Sequence, residues 1–141
     1  MLVSMKEMLA DAKAKHYAIP AFDISNFEMM CAVLDVCEEE RSPALLMGLG
    51  VDLVGKRLPL MTLMVRAASD FYSVPVCFHL DHATDFESIK AGIEAGFSSV
   101  MFDGSVLPFE ENAKKTAEVT AFAHERGITV EAELGHVETL W

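Results

Sequence analysis

Predicted strands and helices alternate along the whole chain, and this alternation constrains the fold more than any other feature of the sequence. Apolar runs typical of strands occupy 17–24, 43–49, 74–81, 98–103 and 128–134, and segments with helical spacing separate them. Such alternation indicates a parallel sheet covered by helices. The unit recurs about every 24 to 31 residues. Two architectures stay open: a complete five-stranded open sheet, or the first five strands of an eight-stranded barrel, which needs roughly 250 residues.

Local signals mark where the helices begin and end. The segments Ser4–Glu7, Ser25–Glu28 and Thr84–Glu87 each place a hydroxyl residue three positions before a glutamate. This pattern predicts a capping box, so helices are expected to begin at Ser4, Ser25 and Thr84. Gly96 and Gly127 are expected to stop the helices they follow. The helices are predicted over about 4–15, 25–41, 51–71, 84–96 and 108–126.

The composition excludes several classes of protein. Acidic residues outnumber basic residues 22 to 11, for a net charge of −11, which argues against binding to nucleic acid or to an anionic membrane. The three cysteines form no C-x-x-C pair, so a disulfide scaffold is not expected and a reducing compartment fits. The apolar stretch 58–65 is too short to span a bilayer. With 141 residues, the sequence indicates a single cytoplasmic domain.

Carboxylates stand at the ends of four predicted strands. Because side chains two apart share a face, the alternation puts Asp23, Asp81, Asp103 and Glu133 on matching faces. All four lie at carboxyl ends of parallel strands, which is where such sheets bind ligands. Taken singly, a strand-end aspartate is more often a cap or turn residue, and Asp85 is interpreted as part of a helix start.

Four carboxylates on one rim repel one another unless something compensates their charge. A raised pKa, a cation or both would do so. His82 directly follows Asp81 and adds an imidazole, which is a common ligand of first-row metals. The residues therefore predict a metal-assisted site.

Four segments of the chain carry a family resemblance. They read VPVCFHLDH at 74–82, GFSSVMFDGS at 96–105, LPFEEN at 107–112 and VEAELG at 130–135. In this combination and order they resemble the class II, metal-dependent ketose-bisphosphate aldolases, which include the fructose- and tagatose-bisphosphate aldolases. The resemblance implies a TIM (β/α)8 barrel, with residues 1–141 as a single-domain, N-terminal portion that covers roughly the first five strands and is incomplete at its C-terminus.

The resemblance also implies roles for individual residues. Asp81 matches the catalytic acid/base that exchanges a proton with the C4 hydroxyl of the sugar. His82 matches the first of three histidines that bind the catalytic Zn²⁺. Asp103 and Glu133 match carboxylates near the metal that can hold a second or alternative cation. Asp23 stands where family members typically have asparagine, and it is the candidate substrate-binding residue.

The activity implied is zinc-dependent, reversible aldol cleavage of a phosphorylated ketose to dihydroxyacetone phosphate and an aldehyde, as in glycolysis. The implied assembly is a homodimer or homotetramer. Two alternatives stay open: a non-catalytic barrel fragment or scaffold, and a complete receiver-like module whose acidic cluster binds magnesium.

The end of the chain gives three further expectations. Residues after Gly135 are expected to be mobile, because the family has a loop there that closes over substrate. Glu138 falls too soon after the strand to serve as the proton-abstracting base of that loop. The isolated polypeptide 1–141 is expected to be poorly soluble and to lack aldolase activity even with added zinc.

Overall fold

The computed structural model describes residues 1–135, in which five strands and five helices alternate. In chain order the elements are α1 (Met5–Lys15), β1 (Ala21–Asp23), α2 (Phe27–Glu40), β2 (Ala44–Leu49), α3 (Arg57–Ser69), β3 (Val76–Ala83), α4 (Phe86–Ala95), β4 (Ser99–Phe102), α5 (Phe109–His124) and β5 (Thr129–Ala132). The sequence therefore predicted the type and order of every one of these elements. The expectations for the loop after Gly135, including Glu138, fall on 136–141 and lie outside the described residues.

The five strands form one parallel sheet in the order β1-β2-β3-β4-β5. Each strand pairs with the next one along the chain, as consecutive strands of a barrel do. An open receiver-like sheet would instead place the first strand in the interior of the sheet. The described sheet thus excludes the receiver-like alternative and agrees with the predicted α/β barrel topology.

Three strands begin at the residue that follows a proline. β1, β2 and β3 begin directly after Pro20, Pro43 and Pro75. A proline nitrogen has no hydrogen to donate to the ladder, so a strand interior cannot extend through it. The predicted starts at Tyr17 and Val74 were therefore too early.

The observed helix starts confirm one of the three predicted capping boxes and correct the other two. The Ser4 box is present, with the Ser4 hydroxyl accepting from the Glu7 backbone N–H and the Glu7 side chain accepting from the Ser4 N–H. The other two predictions were wrong by one residue. Asn26 caps α2 by accepting from Met29 N–H, and Asp85 caps α4 by accepting from Ser88 N–H. Asparagine and aspartate cap helices as well as serine does and better than threonine, so a hydroxyl residue three positions before a glutamate does not by itself locate the cap.

The sheet has two different faces. Alternate side chains of β2, β3 and β4 pack against the helices and form the main core, which includes Leu46, Phe78 and Val100. On the opposite face, Leu45 and Cys77 pack against Met5 and Met8 of α1. Helix α1 thus covers the amino ends of the strands on the face that also carries the predicted site, and leaves the carboxyl ends open.

None of the helices within residues 1–135 is long and apolar enough to cross a membrane.

Candidate metal centre

The strand register explains why the predicted acids meet at one rim. Asp23 is the last residue of β1 and aligns with Met47, which aligns in turn with His79 of β3. Asp81 lies one layer higher and aligns with Leu49. Asp103 directly follows β4, and Glu133 directly follows β5. Because the strands are parallel, these carboxyl ends form one edge of the sheet.

His82 owes its orientation to an irregular backbone. It has a φ of +47°, in the left-handed region, and the pairing of β3 with β4 shifts register between Leu80 and Ala83. Regular alternation would put His82 on the face opposite Asp81. The local distortion instead brings the His82 ring beside Asp103 and Glu133. A non-glycine residue held at positive φ is a strained feature that is common at functional sites.

Three of the predicted residues converge on a common point. The Nδ1 atom of His82 lies 2.9 Å from Oδ2 of Asp103 and 4.0 Å from Oε2 of Glu133. One potential ligand atom from each of these residues lies within 4.8 Å of the other two. The three residues come from the ends of three adjacent strands, so the sheet brings their backbones side by side. We refer to His82, Asp103 and Glu133 as the rim triad.

The charges within the rim triad are complementary. The hydrogen bond with Asp103 raises the pKa of His82, and the neighbouring Asp81 and Glu133 carboxylates act in the same direction. Hydrogen bonds from Ser105 and then His82 lower the pKa of Asp103. Asp103 thus stays ionised at neutral pH, and an imidazole is held next to it.

The donor set of the rim triad fits a divalent first-row metal. An imidazole nitrogen and two carboxylates are the ligand types found in catalytic zinc sites, which keep an open position for water or substrate. The separations among the three ligand atoms allow a single ion to contact all of them. His82 would have to be neutral to bind the ion, so a metal would compete with the proton that Asp103 favours.

Asp81 lies beside the rim triad in a more buried position. Its side chain is 13% exposed, and this burial is the main reason its pKa is raised. His82 opposes that shift, whereas the charges of Asp23 and Asp103 add to it. A carboxylate with a raised pKa is closer to the range in which a group can exchange protons at neutral pH.

Asp23 lies apart from the rim triad. It is exposed at the end of β1, and its negative charge helps to raise the pKa of Asp81. The structure therefore brings together His82, Asp103 and Glu133 with Asp81 adjacent, and leaves Asp23 on the periphery.

Two further ionisable residues, His79 and Glu131, lie below the rim and were not among the predicted site residues. His79 is buried, with Nδ1 2.9 Å from Oγ of Ser99 and Nε2 3.5 Å from Oε2 of Glu131. Burial, followed by the charge of Asp81, raises the pKa of Glu131. The alternation pattern already placed His79 on the face of Asp81 and Glu131 on that of Glu133, so the signal was present in the sequence.

Known proteins resemble this chain over nearly its whole length. A family profile described as "Fructose-bisphosphate aldolase class-II" matches residues 3–140. A probable fructose-bisphosphate aldolase from Bacillus subtilis (strain 168) is 48% identical over 141 residues, covering 96% of this chain and 49% of that protein. A fructose-bisphosphate aldolase from Geobacillus stearothermophilus is 46% identical over 142 residues, covering 96% of this chain and 48% of that protein.

Solved structures of aldolases share the fold of this chain. The crystal structure of the YdjI aldolase from Escherichia coli K12 superposes with a TM-score of 0.90 at 36% identity, covering 96% of this chain and 51% of that one. The predicted fold class is thereby confirmed. The chain spans about half the length of the curated relatives it matches.

Proposed function

Because this chain belongs to the class-II fructose-bisphosphate aldolase family, we propose that the protein catalyses the zinc-dependent, reversible aldol cleavage of a phosphorylated ketose. The products would be dihydroxyacetone phosphate and an aldehyde, with a fructose- or tagatose-bisphosphate as substrate. The observation that carries the proposal is the convergence of the rim triad beside Asp81 at the open, carboxyl end of the sheet.

In this proposal the rim triad holds the metal. His82 supplies a neutral nitrogen ligand, and Asp103 and Glu133 supply carboxylate oxygens for the same ion or for a second cation nearby. A divalent cation held there supplies electrostatic stabilisation for the negative charge that develops on the three-carbon fragment when the carbon–carbon bond breaks.

Asp81 is the proposed acid/base. In the cleavage direction its carboxylate accepts the proton of the C4 hydroxyl, the C4 oxygen becomes the carbonyl of the aldehyde, and the electrons of the C3–C4 bond pass to C3. In the condensation direction the same carboxyl returns the proton to that oxygen. The raised pKa of Asp81 suits both directions, because the group must bind and release a proton near the working pH.

Several broader features belong to the same proposal. The substrate would approach Asp23 at the periphery of the site. Because the Asp23 carboxylate and a phosphate would repel each other, Asp23 would contact a hydroxyl of the substrate rather than a phosphate. Residues 1–141 would form part of one barrel domain. The protein would work in the cytoplasm, as part of carbohydrate metabolism such as glycolysis, and would assemble as a homodimer or homotetramer.

The test compares two adjacent substitutions in the full-length protein. His82→Ala removes a metal ligand, so we expect zinc content after dialysis and cleavage activity to fall together. Asp81→Asn keeps the shape of the side chain but removes the base, so we expect zinc content to persist while cleavage of fructose or tagatose bisphosphate is lost. Zinc is measured by atomic absorption and cleavage by a coupled assay for dihydroxyacetone phosphate.

The outcomes separate the proposal from its alternatives. Loss of zinc in both variants would mean that the two roles are wrongly divided. A wild-type protein that binds zinc but cleaves neither substrate would support the non-catalytic alternative. The polypeptide 1–141, assayed alone, is expected to show no chelator-sensitive cleavage, because the resemblance assigns two more histidine ligands to the zinc.

A further inference from the structure

A buried asparagine on α5 contacts the segments that carry two of the three rim triad residues. Asn112 is 5% exposed, and its Nδ2 atom donates a hydrogen bond of 2.8 Å to the backbone carbonyl of Glu133. Its Oδ1 atom accepts a hydrogen bond of 3.1 Å from the Thr116 hydroxyl. A carbonyl oxygen can only accept, so the amide nitrogen must face Glu133 and the orientation of the carboxamide is determined. Both polar ends of the side chain therefore have a partner.

The hydrogen bond from Asn112 reaches the first residue beyond the paired part of β5. β4 and β5 pair as far as Phe102 and Ala132, and Glu133 is the next residue. The hydrogen bond from Asn112 thus continues the anchoring of β5 for one residue beyond the ladder. A carboxylate on an unanchored residue would lose its fixed distance to His82.

The same carboxamide also lies against the turn that carries Asp103. A Cβ atom added to Gly104 would come 2.2 Å from Oδ1 and 2.6 Å from Cγ of Asn112, so a larger residue there would have to displace the carboxamide. The turn itself is held by hydrogen bonds from Ser105 N–H to Asp103 Oδ1 and from Leu107 N–H to the Gly104 carbonyl. Asn112 therefore contacts both the turn after β4 and the end of β5.

We propose that Asn112 is a positioning residue that sets the separation of the Asp103 and Glu133 carboxylates around His82. The inference rests on the proposed function, since it takes the rim triad to be the metal site. Asn112 does not touch the metal position itself; it acts through the backbone on each side of it. Residues that orient metal ligands typically change metal affinity by 10- to 100-fold when they are removed.

The test measures metal affinity in the full-length protein with Co²⁺ as the probe. For Asn112→Ala we expect the Co²⁺ dissociation constant to rise about 10-fold or more, together with a changed visible absorption spectrum of the bound ion. The matched control is Thr116→Val, which removes a hydrogen bond from the same carboxamide but leaves the bond to Glu133. We expect the Co²⁺ dissociation constant of that variant to stay within about threefold of the wild-type value, even if its thermal stability falls as much as that of Asn112→Ala.

A second pair of variants tests the contact with Gly104. Gly104→Ala should displace the carboxamide and weaken Co²⁺ binding. The same substitution added to Asn112→Ala should have little further effect, because the two nearest atoms are gone and only Phe102 Cε1 remains close, at 3.0 Å. Additive losses would overturn the coupling through Asn112. The inference would also be overturned if Asn112→Ala bound Co²⁺ as tightly as wild type with an unchanged spectrum, or if Asn112→Ala and Thr116→Val weakened binding equally.

The same measurements distinguish a failure of the proposed function from a failure of this inference alone. A wild-type protein that binds neither Co²⁺ nor Zn²⁺ would overturn the metal centre itself and this inference with it. A wild type that binds metal normally, with an unaffected Asn112→Ala variant, would overturn this inference alone.

Discussion

Acidification is expected to destabilise this fold through one buried side chain, His79. The imidazole is 1% exposed, and within residues 1–135 its Nε2 atom has no hydrogen-bond partner. Burial, with a smaller effect from the charge of His82, lowers the pKa of His79 from 6.5 to about 4. In the unfolded chain the same ring is solvated and takes up a proton near its ordinary pKa. The unfolded state therefore binds more protons than the native state between about pH 6.5 and pH 4.

The sign and size of the effect follow from proton linkage. The contribution of neutral His79 to stability is fully present above pH 6.5 and is lost as the pH falls toward 4. One pH unit in this window corresponds to about 1.4 kcal/mol, so the whole window corresponds to about 3 kcal/mol. Natural domains have unfolding free energies of about 5–15 kcal/mol, so a loss of this size is measurable.

The assay compares the wild-type full-length protein with His79→Asn by urea unfolding at pH 7, 6 and 5, followed by circular dichroism. Asparagine retains a polar group near Ser99 but does not titrate. The variant is expected to be less stable at pH 7, and the difference between the two proteins is expected to shrink by about 2 kcal/mol on going to pH 5. Asp81 and Glu131 titrate in both proteins, so the comparison reduces their contribution. A difference that stays constant from pH 7 to pH 5 would mean that His79 does not cause the loss of stability in acid.

Three further predictions concern the scaffold. Asn26→Ala is expected to lower the free energy of unfolding by about 1 kcal/mol because it removes the cap of α2, whereas Ser25→Ala should change it by less than about 0.5 kcal/mol; equal losses would contradict the observed cap. Gly96→Ala is expected to lower the melting temperature, because Gly96 has a φ of +110° and an added Cβ would approach Arg66 to 2.7 Å; an unchanged melting temperature would show that the helix end can relax. Cys77 is buried, and burial raises its pKa to about 11, so a thiol reagent at pH 8 should label the half-buried Cys31 first and reach Cys77 only after denaturation; rapid labelling of Cys77 in the native protein would contradict its placement in the interior.

Much of the site was predictable from the sequence because its signals are local. A strand exposes alternate residues on each face, so the carboxylates of Asp81, Asp103 and Glu133 could be assigned to one side before any strand was paired. Prolines, glycines and capping residues mark the ends of helices and strands within a few positions. The predicted caps at Ser25 and Thr84 nevertheless lay one residue before the observed caps, Asn26 and Asp85. The order of strands and helices, and with it the parallel sheet, followed from the same short-range patterns.

The tertiary structure decided how those residues are oriented. His82 turns toward Asp103, 21 positions away, because β3 shifts register against β4 and His82 adopts a left-handed backbone conformation. The contact of Asn112 with Gly104 and Glu133 depends in the same way on how α5 packs beside the ends of two strands. Neither feature has a periodic signature, because each arises from the packing of segments that are distant in sequence. Local patterns thus predict which residues reach the rim, whereas the packing of distant segments brings the ligand atoms of the rim triad to within 4.8 Å of one another.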